Sequence, residues 1–264
     1  MTATGESDGK SINKATKRVL EVLNEFIGAP SPLGASELSR RLNMTRNMVH
    51  RALVTLNEEG LLYKHQDTGR YVLSYNLATL QNTSRPAPDL RRIARPYLEE
   101  ISERLGETVQ LTVRSRDFQT VIDGIEGHGT VALRVKLGNV YPLHLSVGSR
   151  AILAACPDDE IDDYISRNQP LRGMTPTSMT DPEALWAEVR RIREEGFARS
   201  MGDFNPTTAG FAYAILDFDA RPHGALVVGG PAQRLGEDWI DEARQTVEPI
   251  VNQFLTIAAL YEAN

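Results

Sequence analysis

The sequence predicts an α+β protein in two parts, a small helical unit closed by a hairpin and a larger unit of mixed helices and strands. Three observations predict it. Helical periodicity over residues 12–60 gives way to two short alternating segments. A stretch broken by two prolines, Thr83-Ser84-Arg85-Pro86-Ala87-Pro88, then interrupts the chain. Beyond it, helical stripes and period-two segments follow one another without a βαβ repeat, which points to a mixed or antiparallel sheet. The 264 residues suit about two domains.

In the first part, Ile12, Ala15, Val19, Val22, Leu23, Phe26 and Ile27 recur at helical spacing and form one face of a first helix. Ala29-Pro30-Ser31-Pro32 ends it. Ser36 opens a short second helix through Leu42, and Asn43-Met44 makes a turn. Thr45 is a good N-cap for a third helix that turns Met48, Val49, Ala52, Leu53 and Leu56 inward, and Gly60 closes it. Leu61–His65 and Arg70–Leu73 flank Gln66-Asp67-Thr68-Gly69 and read as a β-hairpin. Helix, helix, turn, helix and hairpin make a winged helix-turn-helix, whose third helix enters a DNA major groove while the wing follows the backbone.

The outward positions fit that use. With the apolar residues inward, Arg46, Asn47, His50 and Arg51 face out, carrying donors and acceptors for base edges and phosphates. Ser36, Thr45, Lys64 and Arg70 join them as candidate DNA contacts. For any one of these, a solvated charged face is the plainer alternative. Their ordered combination on this scaffold favours double-stranded DNA.

Net charge at first opposes that conclusion. The formal charge of −6 should repel phosphate. Divided at the linker, it changes meaning: residues 10–75 hold ten basic and six acidic side chains, residues 76–264 hold 19 and 27. A basic unit beside an acidic one is a hint of nucleic-acid binding by one part. The expected divisions are a disordered tail over 1–11, the winged unit over 12–75, a linker over 76–89 that begins as a helix, and the second unit over 90–264.

In the second unit, Leu90, Ile93, Ala94, Tyr97, Leu98, Ile101 and Leu105 trace a helical stripe that Gly106 stops. Val109, Leu111 and Val113 alternate, as do Val131, Leu133, Val135 and Leu137, and both sets read as strands. Gly124–Gly129 reads as a loop, and Gly148-Ser149 opens a helix over Ala151–Ala155. Thr180-Asp181-Pro182-Glu183 reads as a capping box before a helix with Leu185, Val189 and Ile192. Phe211–Leu216 and Ala225–Val228 read as buried strands, and a last helix is expected from Glu237 with a kink at Pro249.

Composition excludes several classes. A hydrophobic fraction of 41% and a charged fraction of 24% are ordinary for a globular core. No apolar run approaches the roughly 20 residues of a membrane span, and Met1–Lys10 lacks the apolar region of a signal peptide. A soluble, cytoplasmic protein with no membrane partner is expected. The single cysteine, Cys156, lies in an apolar run and reads as a small buried hydrophobe. No Cys/His cluster has zinc spacing, so neither metal nor cofactor is expected. The enzyme alternative, built on the second unit, finds no HExxH or P-loop. The nearest approach to GxSxG is Leu145-Ser146-Val147-Gly148-Ser149. No catalytic residues are assigned. A winged unit used only for protein contact is a third class, which a salt-sensitive, sequence-selective DNA shift would exclude.

These segments resemble a family. Ala15–Leu20, Ser36–Leu42, Val49–Gly60 and Gly69–Leu73 resemble the DNA-binding unit of IclR-type bacterial transcription regulators. Leu105–Val109, Tyr141–His144, Gly148–Ala154, Glu195-Gly196-Phe197 and Val228–Pro231 resemble landmarks of that family's second domain. Two departures stand out. Thr45-Arg46-Asn47-Met48 replaces the usual start of the recognition helix, and Arg150 replaces the usual lysine after the glycine. The resemblance implies a GAF-like effector-binding and oligomerisation domain over 90–264. It also implies a homodimer or dimer of dimers on operator DNA, and a repressor, or alternatively an activator, of a catabolic operon. In that family the effector lies against the start of the helix at Gly148. A helix N-terminus attracts carboxylates, so Val147, Gly148 and Ser149 are expected to donate backbone N–H groups to a small organic or aromatic acid. Leu133, Val135, Leu137 and Tyr141 are expected to form an apolar wall, with His144, Asp203 and Tyr213 as polar contacts.

Overall fold

A computed structural model describes residues 13–26, 32–74, 76–77 and 90–261. The expected disordered tail, Ile12, Ile27, the Ala29–Ser31 break and the linker beyond residue 77 lie outside them. The chain divides after Arg85 into two compact units.

The first unit contains α1 (Lys14–Asn24), α2 (Ala35–Arg41), α3 (Arg46–Glu58), β1 (Leu62–Lys64) and β2 (Tyr71–Leu73). Val22, Phe26, Leu33, Leu38, Val49, Ala52, Leu53, Leu56, Leu62 and Tyr71 form its core. The turn before α3 works because Asn43 adopts φ 50°, a conformation that asparagine tolerates better than most residues. Thr45 caps α3 by accepting the Met48 amide at 3.4 Å, and Gly60, at φ 72°, follows its end. The second helix starts one residue earlier than expected, with Gly34 rather than a side chain at its cap. The hairpin pairs Leu62 with Leu73 and Lys64 with Tyr71, and Leu33 adds a bridge to Tyr71 through two 2.9 Å backbone bonds.

The second unit contains α4 (Leu90–Leu105), β3 (Thr108–Ser115), β4 (Phe118–Ile125), β5 (Val140–Pro142), α5 (Val147–Ala154), α6 (Asp158–Asn168), α7 (Pro182–Glu195), β6 (Ala198–Met201), β7 (Thr208–Leu216), β8 (Pro222–Pro231) and α8 (Glu237–Tyr261). Its sheet is antiparallel throughout, in the order β5-β4-β3-β8-β7-β6. The central strands β3, β8 and β7 alternate between two covered faces. Val109, Leu111, Phe211, Tyr213, Ile215, Leu226 and Val228 pack against α4 and α8. Ala212 and Ala225 face the other way, against α5, α6 and α7.

Three expectations are corrected. Residues 131–137 are not a strand: they belong to an irregular loop between β4 and β5. Alternation of apolar residues predicts a pleated strand only if backbone partners exist. Here β4 already pairs with β5, and the Val131 and Leu133 carbonyls bond to side chains instead. Thr108 Oγ1 donates to the Leu133 carbonyl at 2.8 Å, and Arg234 donates to that of Val131 at 3.0 Å. Second, Asp181, not Thr180, caps α7 by accepting the Ala184 amide at 3.0 Å, so Pro182 takes the first helical position, where its missing N–H costs nothing. Third, α5 starts at Val147 with Ser146 as its cap, ahead of the expected start.

Candidate functional site

In the first unit, Ser36, Thr45, Arg46, Asn47, His50, Arg51, Lys64 and Arg70 are all exposed. The third helix buries Val49, Ala52, Leu53 and Leu56, which leaves Arg46, Asn47, His50 and Arg51 on its outer side. Three other candidates carry structural duties. Thr45 is the helix cap just described. The Arg70 guanidinium donates to the Pro32 carbonyl at 2.7 Å and meets Glu37 at 3.5 Å, tying the wing to α2. Glu37 also accepts from Arg41 at 2.6 Å. The Lys64 ammonium lies 5.8 Å from the Tyr71 ring centre, a cation–π contact within the wing.

In the second unit, a cavity of about 650 Å³ lies over the sheet face opposite α4 and α8. Its floor is set by the strand pleat. Thr108 and Gln110 alternate with the core residues Val109 and Leu111 on β3, while β8 contributes Val227 and Gly229. On β4, Gln119 and Val121 line it. A bulge at Ile122 reverses the pleat beyond them, because Thr112 pairs with Val121 but Leu111 pairs with Asp123. Asp123 thereby turns toward α4, where Arg95 meets it at 3.0 Å.

The loop over 126–139 forms the roof. Besides the Leu133 bond, Thr108 Oγ1 accepts the Gly127 amide at 3.0 Å. Arg234 holds Glu107 through two 2.9 Å bonds beside Val131. Leu133, Arg134 and Lys136 reach the cavity from this loop. Tyr141 and Phe204 complete an aromatic side, their rings edge to face at 4.9 Å, and Asn139 donates to the Tyr141 hydroxyl at 2.7 Å. Among the described residues, Arg134 and Lys136 are the charged ones lining the cavity, and no carboxylate lines it.

Of the expected ligand contacts, Leu133, Tyr141 and Val147 line this cavity. The others are held elsewhere. Val135 packs over Gly124, where a Cβ would come within 2.9 Å of it. Leu137 is 62% exposed. Gly148 presses the start of α5 onto the sheet: a Cβ there would meet Val227 at 2.6 Å and Gln119 at 2.8 Å, so only glycine fits. Ser149 is fully buried, its amide and hydroxyl both bound to Ser146 Oγ. His144 is buried in a neighbouring core, with Nδ1 accepting from Tyr164 at 2.6 Å and Nε2 donating to the Arg172 carbonyl at 3.1 Å. Burial, and the Arg150 charge after it, lower its pKa, so the imidazole is held neutral. Tyr213 sits on the other face of the sheet, as period-two alternation from Phe211 requires. Burial pushes its phenol up to about 12.

Asp203 is the ion-pair partner of Arg150. The Arg150 side chain is 1% exposed, and its guanidinium meets Asp203 at 2.6 Å, Glu188 at 3.3 Å, and the carbonyls of Leu145 and Arg199 at 2.8 and 2.9 Å. This cluster replaces water around a buried charge and ties α5, α7 and β6 together behind the cavity. Asp203 also accepts from Ser200, which does line the cavity. Cys156 is buried with its thiol pushed up to about 11, and its Sγ donates to the Ile152 carbonyl, the arrangement of a packed and unreactive side chain.

Sequence reading missed Thr108, Gln110, Gln119, Phe204 and Asn205 as lining residues. A signal existed for the first two. They are the polar positions alternating with Val109 and Leu111 in a strand that lies inside a covered sheet. For Phe204 and Asn205 no periodicity points at the site.

Comparison with known proteins identifies both units. A family model described as the IclR helix-turn-helix domain matches residues 15–66, and one described as the bacterial transcriptional regulator IclR C-terminal matches residues 85–254. The transcriptional regulator KipR of Bacillus subtilis is 30% identical over 89% of this chain and 93% of its own. A structure of a putative IclR transcriptional regulator from Silicibacter is 25% identical, with a TM-score of 0.78 over 94% of this chain and 95% of that one. An IclR homologue from Microbacterium hydrocarbonoxydans, solved in complex with 4-hydroxybenzoate, has the same fold at 23% identity and a TM-score of 0.73, covering 95% and 99% of the two chains. These relatives are transcription regulators rather than enzymes, and no helix among the described residues is long and apolar enough to cross a membrane. The chain belongs to the IclR family of bacterial transcription regulators.

Proposed function

We propose that this regulator binds operator DNA through the outer side of α3 and switches on binding a small carboxylic acid in the cavity of its second domain. The cavity carries the proposal. It is roofed, of ligand size, walled by aliphatic and aromatic side chains, and its charged lining residues are two cations. An acid gains from Arg134 and Lys136, whereas a cationic effector would meet repulsion without a carboxylate to offset it. The first amides of α5 add to this field, because that of Ser149 is capped by Ser146 while Val147 lies at the cavity. The Microbacterium homologue's 4-hydroxybenzoate is an acid of fitting size.

On the DNA side, Arg46, Asn47, His50 and Arg51 are the contacts that read bases or phosphates, with Ser36 and Lys64 at the backbone. Arg70 and Thr45 act by holding the wing and α3 in place. A homodimer, or a dimer of dimers, sets two α3 helices about one turn of DNA apart. The setting is the cytoplasm, where the operator is, and the direction of control is repression.

Footprinting of the DNA flanking the chain's own gene, with and without candidate acids, tests the whole reading. A protected, roughly palindromic site whose occupancy falls with an acid and with salt is the expected result. Protection that no acid alters, together with thermal stabilisation by a non-acidic ligand, would overturn the effector assignment. Polarity follows from a reporter placed behind that site.

A further inference from the structure

One residue on the outer side of α3 is explained neither by the fold nor by the polar contacts already assigned. Val54 is 40% exposed, and among the described residues it belongs neither to the core of the first unit nor to the apolar side chains packed against that core. The helix fixes its position. Asn47, Arg51, Val54 and Glu58 stand at i, i+4, i+7 and i+11, one exposed stripe opposite the buried Val49, Ala52, Leu53 and Leu56. Valine is a poor residue for a solvated helix position, because branching at Cβ lowers its helix propensity below that of alanine, glutamate or lysine. A lone valine elsewhere on a surface needs no explanation. This one stands between Arg51 and Glu58, in the middle of the side offered to DNA.

We infer that Val54 is a specificity-determining residue for DNA and that the base it selects is thymine. This rests on the reading that the outer side of α3 enters the major groove. The groove edge of the base pairs is a row of donors and acceptors with one apolar group, the C5-methyl of thymine. An apolar side chain pressed onto the donors and acceptors strips them of water and returns no hydrogen bond. Against the methyl, both surfaces gain by leaving water. The same branching that makes valine a poor helix former suits it to this contact. In a helix its χ1 is held in one rotamer, so its methyl groups are in place before DNA arrives and little freedom is lost on binding. Val54 stands about 4.5 Å along the helix axis from Arg51, little more than one base-pair step of about 3.4 Å. Arg51 carries donors suited to guanine, and Val54 addresses a base pair close beside it. Glu58, at the far end of the stripe, is repelled by phosphate and keeps the last turn of α3 out of the groove, which makes Val54 the last reading position.

The test uses the full chain to select a preferred duplex from a random pool. That duplex is then synthesised with deoxyuridine in place of each thymidine in turn. Deoxyuridine pairs as thymidine does and lacks only the methyl group. In mobility-shift titrations the native chain should lose affinity by about fourfold at one thymine position of each half-site, which is what burying about one methyl group is worth. Val54→Ala should bind the thymine duplex about fourfold more weakly than the native chain does, and the deoxyuridine duplex no more weakly still, because the contact is already gone. Alanine favours the helix more than valine, so the urea midpoint should not fall and a lost contact is separated from a lost fold. A native chain indifferent to every thymine methyl, or a loss that persists undiminished in Val54→Ala, would overturn the assignment and leave α3 standing as the reader. Unchanged DNA affinity of Val54→Ala beside weaker self-association in sedimentation would overturn it in favour of a contact between copies of the chain. A selection that yields no preferred duplex would overturn the DNA reading itself, and the assignment with it.

Discussion

The two units keep their working residues in opposite places. On α3, the side chains of Arg46, Asn47, His50 and Arg51 are exposed and make no hydrogen bond or ion pair among the described residues, so the core beneath them is indifferent to their identity. In the second unit the residues around the cavity are woven into the fold. Ser146 is at once a helix cap, the partner of Ser149 and the acceptor for Gln119. The difference teaches what each unit is for. A reader of DNA presents chemistry to a partner that arrives from outside, whereas a sensor must alter its own packing when a ligand enters. Substitutions in the reader should therefore change binding and leave stability alone, and substitutions around the sensor should change both.

The sharpest test is Arg150→Ala. It removes a guanidinium that is 1% exposed and leaves Asp203 without its cation, while Glu188 keeps Arg191, so unfolding followed by circular dichroism in urea should show a loss of about 3–5 kcal/mol. Arg150→Lys, which restores the charge but not the fork of donors, should fall between the two. A loss below about 1 kcal/mol would mean that the cluster is more hydrated than its geometry indicates, and the contrast between the units would weaken accordingly.

Arg51→Ala is the counterpart in the reader. Operator affinity should fall by about 1–3 kcal/mol, with relaxed preference at one base position if the side chain reads a base, and the urea midpoint should not move. A mobility shift across operator variants checks the first part. If stability falls with affinity, Arg51 has a packing role that its exposure does not reveal.

Thr45→Ala asks whether the reader contains any residue of the sensor's kind. Thr45 is exposed, and sequence reading placed it among the DNA contacts, but its hydroxyl accepts the Met48 amide. Losing a cap costs about 1 kcal/mol. Stability should drop by that amount, and Thr45→Ser should restore it. Weaker operator binding at full stability would return Thr45 to the list of direct contacts.

The same contrast explains what could be read in advance. Exposed chemistry on a periodic scaffold is legible: once Val49, Ala52, Leu53 and Leu56 define the buried side of α3, the other side follows from 3.6 residues per turn. The order of elements was legible for a related reason. Leu90–Leu105 declares its stripe and its stop, and Gly106, at φ 70°, confirms why the stop is glycine. The cavity was less so, because apolar alternation says which residues are buried but not against what. Tyr213 looked like a ligand contact and lies on the helix-packed face; Val131–Leu137 looked like a strand and became a roof; Asp203 looked like a contact and answers Arg150. Each depends on partners far away in sequence, and the bulge at Ile122 reverses a pleat without leaving any mark in composition.

His144 carries the smallest and most specific expectation. It was among the polar contacts expected for the effector. The structure instead places it among Tyr164, the Arg172 carbonyl and the Arg150 charge, with its pKa lowered by burial. The sign follows from that direction. Above about pH 6.5 the imidazole is neutral in both states and contributes no slope. As pH falls below that value, the unfolded chain takes up a proton that the folded chain refuses, so stability declines until the lower folded-state pKa is passed. One such group gives a slope of at most about 1.4 kcal/mol per pH unit. Urea midpoints at pH 7.5 and 5.5 should therefore separate more in the native chain than in His144→Gln, which keeps polar contacts but cannot titrate. Carboxylates titrating in the same range contribute equally to both chains and cancel in the comparison. Equal separation would place the His144 proton in the folded state as well, and with it a second positive charge beside Arg150 that the packing around Tyr164 gives no means to balance.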